Sequence, residues 1–165
     1  MPLTLYDLSV PPFIKQLKSL SKILAKGQAH VNNDESKIIN AKLIDDMGDL
    51  IYQIQRLSDT AKGLAVRVGG AENVVLEDNE TDFAGLYARI NRTIEILEAL
   101  PPTCTDGKEE AEVIMKLPNG DLKFTGKDFV LNFAIPNFFF HAVTAYDILR
   151  KEGVPVGKRD FLGAV

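Results

Sequence analysis

Histidine and cysteine are scarce in this chain, and that scarcity removes whole classes of chemistry. Among 165 residues there are two histidines, His30 and His141, and one cysteine, Cys104. Two histidines cannot build a three-histidine metal site. One cysteine cannot close an intramolecular disulfide, and a lone thiol in the loop-like stretch PPTCTDG suits a reducing compartment. Nucleophile chemistry lacks a Gly-x-Ser-x-Gly elbow, and no glycine-rich phosphate cradle follows a strand-like run. There is no run of Lys or Arg, and a net charge of −4 argues against a nucleic-acid partner. The opening MPLTLYDLSVPPF lacks a charged end followed by a long apolar core, and no run approaches the ~18 apolar residues of a membrane span. The expectation is a cytoplasmic protein with no membrane partner.

What is present reads as helices. A hydrophobic share of 45% with 25% charged residues fits one ordinary globular domain over residues 1–165. Proline is tolerated in a helix's first turn, so Pro11 and Pro12 predict a start there. Phe13, Leu17, Leu20 and Leu24 then recur at helical spacing, with an end near Asn32 and Asn33. A second long helix is expected over about Asp45 to Val68. Its apolar stripe is Leu43, Met47, Leu50, Ile54, Leu57, Ala61, Leu64 and Val68, and Gly69-Gly70 stops it. AENVVLEDNE has no clean period and reads as a crossing loop. Thr81 or Asp82 caps a third helix, lined by Phe83, Leu86, Ile90, Ile94 and Leu97. Around Asn119-Gly120 the period shortens to that of a β-hairpin lying against the helices. A fourth helix begins near Lys127 and carries Pro136, which should bend it. The apolar tail VPVGKRDFLGAV should dock through Phe161 and Leu162. The fold class is therefore mainly all-α: a four-helix bundle with a short hairpin between the third and fourth helices.

The fourth helix holds the main functional signal. DFVLNFAIPNFFFHAVTAYDILRKEG is apolar almost all round, the mark of a buried helix. Yet Asn137, His141 and Thr144 fall on one line of it, spaced four and three apart. Asp46 and Gln53 flank the stripe of the second helix on one side, seven residues apart. If that helix faces the fourth, the five side chains form one polar cluster. Three readings stay open for it: a hydrogen-bond network that fixes helix register, a small-molecule pocket, or a metal site. Asn is a weak ligand for zinc-like ions, so the pair Asn137 and His141 is at most a degenerate metal site. No cofactor is expected.

The segments YDLSVPPF, IDDMGDL with QIQRLSDTAKG, EDNETDF and IPNFFFHAVTAYDILRKEGVPVGKRDFLG resemble the family of domain of unknown function 1993. The resemblance covers nearly the whole chain. That family is similar to the DinB/YfiT superfamily, which implies an up-down-down-up bundle with a long second connection. Many DinB-like proteins bind a divalent metal through three histidines, with metal-dependent activities such as thiol transfer, and some are dimers. The helical His-x-x-x-His of that superfamily would fall on Asn137 and His141 here. The third ligand would fall near Asp46 or Gln53, and Asn132 stands where many family members have His.

Two functions follow. One is small-molecule binding, or metal-independent catalysis, in an inter-helix cavity. There His141 would be the acid or base, Asp46 would orient it or take a proton, and Gln53, Asn137 and Thr144 would hold the ligand. The other is a structural or interaction module, a homodimer, whose buried polar row serves specificity alone.

Overall fold

The computed structural model describes residues 2–163. Four long helices carry the fold: α1 (Leu5–His30), α2 (Leu50–Arg67), α3 (Phe83–Glu98) and α4 (Gly126–Lys151). A short α5 (Lys158–Leu162) follows, and two strands, β1 (Glu112–Met115) and β2 (Leu122–Thr125), pair antiparallel between α3 and α4.

The first helix starts at Leu5, upstream of the expected Pro11. Thr4 caps it in a capping box: its hydroxyl accepts from Asp7 N at 3.1 Å, and the Asp7 carboxylate accepts from Thr4 N at 2.9 Å. Pro11 and Pro12 therefore lie inside the helix, where each removes one backbone donor. Burial holds the helix through them: Val10, Phe13 and Leu17 are inaccessible to solvent. Asn32 and Asn33 end it in the left-handed region, at φ 52° and 62°.

The second helix is shorter than expected. Asp49 caps it by accepting from Tyr52 N at 2.9 Å, so residues 45–49 belong to the connection before the helix. Leu43 is exposed and belongs to the connection, not to the stripe. From Leu50 onward the expected stripe is buried, as is that of α3, which Asp82 caps through Gly85 N.

Helix directions follow from cross-helix contacts. Gln28 meets Tyr87 and Lys18 meets Glu98, so α1 and α3 are antiparallel. Phe13 stacks on Phe138 at 3.9 Å while a Cβ on Gly27 would touch Leu149, so α1 and α4 are parallel. Gln53 meets His141 and Thr60 meets Asn137, so α2 and α4 are antiparallel. The connectivity is up-down-down-up, and α4 lies between α1 and α2.

The crossing loop between α2 and α3 is pinned by Arg89. Its side chain is 1% exposed and pairs with Asp59 at 2.9 Å, Asp78 at 3.0 Å and Glu80 at 2.9 Å. The planar guanidinium carries five donors in a fixed fork, which suits several carboxylates at once.

The hairpin turns at Gly120, whose φ of 120° favours glycine. Phe124 on β2 packs against Phe129 and Phe133, which fixes the hairpin onto α4. Residues Phe129–Ala134 form a π-helical stretch in which Ile135 N bonds Val130 O. It stands just ahead of Pro136, whose missing N–H cannot continue the regular ladder. Among the described residues α4 is the one helix long and apolar enough to span a membrane, with mean hydropathy 1.2, and it is packed between α1 and α2. In the tail Phe161 docks on Tyr146, and its carbonyl accepts from Gln16 at 3.2 Å. Leu162 stays 44% exposed, and the last two residues of that tail lie outside the described residues.

Candidate functional site

The facing sides of α2 and α4 do not close completely. Between them lies an open cleft of about 450 Å³, with the hairpin as its third wall. On α4 it is lined at every fourth residue: Phe129, Phe133, Asn137 and His141. On α2 the lining is Tyr52, Arg56, Asp59, Thr60 and Arg67, and the hairpin adds Met115, Leu117 and Leu122. The hairpin wall is apolar, the α2 wall mostly polar and the α4 wall mixed, and such a combination is common in small-ligand sites.

His141 is the best-defined group in this cleft. Its Nδ1 lies 2.7 Å from Gln53 Oε1, and its ring meets Tyr52 edge-on at 6.2 Å. Gln53 is 1% exposed, and its Nε2 donates to Gly48 O at 2.9 Å. That bond fixes the amide's orientation, so the oxygen faces the imidazole and Nδ1 must carry the proton. Nε2 is then an unprotonated acceptor toward the cleft. Burial, aided by the nearby Arg56 charge, lowers the His141 pKa from 6.5 to about 4, so the ring is neutral at pH 7.

Asn137 is fixed in a similar way. Its Nδ2 donates to Thr60 Oγ1 at 2.7 Å, and Thr60 donates to Arg56 O at 2.8 Å. The amide oxygen of Asn137 is left as its accepting end. Asp59 lies between Arg56 at 3.0 Å and Arg89 at 2.9 Å, yet burial outweighs both cations and raises its pKa. Arg56 also pairs with Asp78.

At the far end, Arg67 folds back along α2. Its Nη1 occupies the place where a Cβ on Gly63 would stand, and its guanidinium sits over the Phe129 ring at 5.8 Å. Glycine in a helix interior is less favourable than alanine by about 1 kcal/mol. Gly63 is buried, and its bare Cα is the seat of that guanidinium.

Of the five side chains expected to cluster, the structure brings together Gln53, Asn137 and His141. Thr144 is buried, but its hydroxyl donates to Phe140 O at 2.7 Å within its own helix, and it does not line the cleft. Asp46 is exposed in the turn before α2 and also lies outside the cleft, because the helix that was to carry it begins at Leu50. Tyr52, Arg56, Asp59, Thr60 and Arg67 were missed. The signal for two of them was present: the seven-residue step from Asp46 to Gln53, nearly two helical turns, continues to Thr60 and Arg67.

A divalent metal held as in DinB-like proteins does not fit these residues. The three corresponding positions offer one imidazole nitrogen and two neutral amides. Gln53 Oε1 is already engaged by His141, and the Asn137 nitrogen by Thr60. Among the described residues no three His, Cys, Asp or Glu side chains converge.

The chain is 38% identical to a DinB family member protein from Shewanella denitrificans, whose crystal structure superposes with a TM-score of 0.85. That match covers 98% of this chain and 93% of the other. No curated protein matches. The family model described as Domain of unknown function (DUF1993) matches residues 5–162. With that match and the DinB-like bundle, the chain belongs to the DUF1993 family.

Proposed function

We propose that this protein binds a small organic molecule in the cleft between α2, α4 and the hairpin. The observation that carries this reading is the arrangement of His141. Its inner nitrogen is locked by a buried amide, and its outer nitrogen faces an open, half-apolar space. The nitrogen left free is an acceptor that a bound molecule can reach from that space.

The lowered pKa favours binding over catalysis. A general base works best when its pKa lies near the working pH, and about 4 is well below neutrality. His141 Nε2 and the Asn137 amide oxygen act here as hydrogen-bond acceptors for a donor on the ligand. The single thiol, Cys104, is partly buried with its pKa pushed up, which agrees with a quiet residue in a reducing cytosol.

A fragment library screened by ¹H–¹⁵N NMR tests the reading. The expected hits shift the resonances of Tyr52, Asn137 and His141 together and disappear in Asn137→Ala. Hits that map only outside the cleft would contradict it.

A second reading, a self-associating module, has one observation in its favour. Phe140 and Val143 stand 55% and 42% exposed on the outer side of α4. Sedimentation of the wild type and Phe140→Ser distinguishes it: a dimer that Phe140→Ser converts to monomer supports association through that face.

A further inference from the structure

The two ends of the cleft differ in charge and in hydrogen-bonding sense. At the His141 end two acceptors are left free, His141 Nε2 and the Asn137 amide oxygen, because His141 Nδ1 and one N–H of Asn137 Nδ2 are used inward. At the other end stands Arg67. Arg56 and Arg89 are ion-paired with Asp59, Asp78 and Glu80, whereas Arg67, exposed at the rim, has no hydrogen bond or ion pair among the described residues. Between the two ends the wall is apolar, made by Phe129, Phe133, Met115 and Leu122.

We infer that the cleft selects an organic monoanion: an anionic head on Arg67, an apolar body along the phenylalanine wall, and a hydroxyl or N–H donor on His141 Nε2. Gly63 seats the guanidinium and Gln53 sits at the imidazole, ten residues apart along α2, so the body spans about 10–15 Å. A guanidinium over an aromatic ring, with its fork unused among the described residues, is well disposed for a carboxylate or a phosphate. Asp59 does not repel the anion strongly, because two guanidinia hold it. This inference rests on the small-molecule reading above and adds the chemistry of the ligand.

Three probes separate the parts. 10-Hydroxydecanoate has both the anion and the donor, decanoate lacks the donor, and 1,10-decanediol lacks the anion. Binding is read by calorimetry and by the ¹⁵N shifts of His141. The expected order is hydroxy acid, then decanoate, then diol. Arg67→Gln should weaken both acids by at least about tenfold and leave the diol unchanged. Gly63→Ala keeps the charge but fills the guanidinium's seat, and it should weaken the acids in the same sense. Equal affinity for diol and hydroxy acid, or unchanged acid binding in Arg67→Gln, overturns the anionic anchor. If the diol still shifts His141 in that case, the small-molecule reading survives without it. If none of the three probes shifts His141 at millimolar concentration, both fall.

Discussion

Gln53 and His141 stand 88 positions apart in sequence, and the Oε1 of one meets the Nδ1 of the other at 2.7 Å. This contact sets the antiparallel register of α2 on α4, the tautomer of the imidazole, and the direction in which its free nitrogen looks. It also moves one expected role. The group that orients His141 is the amide of Gln53, whereas Asp46 lies exposed outside the cleft.

An amide partner leaves the imidazole neutral, and a carboxylate in the same place would not. Gln53→Glu puts a negative charge against Nδ1, which favours the imidazolium. The His141 pKa should rise from about 4 by at least about two units in an NMR titration. A value that stays near 4 would mean that the 2.7 Å contact does not form in solution.

The same pKa shift makes stability depend on pH. The folded-state pKa lies below the unfolded value of 6.5, so protons bind preferentially to the unfolded chain. The contribution of His141 is therefore complete above pH 6.5 and is lost as pH falls toward 4. Its full size is about 3 kcal/mol. Urea unfolding of wild type and His141→Ala at pH 7 and at pH 4.5 measures it. The wild type should lose more stability than the variant over that interval. Parallel losses would show that His141 is not buried as a neutral base.

Arg89 is a structural counterpart, a buried cation that ties the crossing loop to α3. Arg89→Met leaves Asp59, Asp78 and Glu80 without their common partner. Two of those carboxylates are partly exposed and can rehydrate, so the expected cost is about 2–3 kcal/mol. Hydrogen exchange should rise first in residues 71–80. Uniform loss of protection across α1 and α4 would contradict a local clamp.

The seam between α1 and α4 rests on the stacked pair Phe13 and Phe138, both fully buried. Phe138→Ala should cost about 3–5 kcal/mol, read from the urea midpoint at unchanged m-value. A loss below about 1 kcal/mol would place the packing centre elsewhere.

The fold was legible because its signals are local and repeated. The stripes of α1, α2 and α3 have helical spacing, Asp82 caps where it was expected, and Asn119-Gly120 marks the hairpin. Helix starts were less legible. Pro11 and Pro12 favour a first turn in isolation, but tertiary burial of Val10 and Phe13 carries the helix through them from the Thr4 cap. The start of α2 was misplaced for the opposite reason: Leu43 and Met47 continue the apolar spacing, yet Asp49 caps the helix after them. That displacement removed Asp46 from the cleft. On α4 the line of Asn137 and His141 was readable, but position alone could not show that the Thr144 hydroxyl turns back to Phe140. Arg67 escaped notice because its role comes from bending back over Gly63, a conformation that periodicity does not encode.

The most direct test is the protonation state of one ring. Two-bond ¹H–¹⁵N correlation spectra of ¹⁵N-histidine-labelled protein at pH 7 resolve the tautomer of His141 without any ligand. The expected result is a neutral imidazole with hydrogen on Nδ1 and an unprotonated Nε2. Hydrogen on Nε2, or an imidazolium at that pH, would contradict the account, because no free acceptor would then face the cleft.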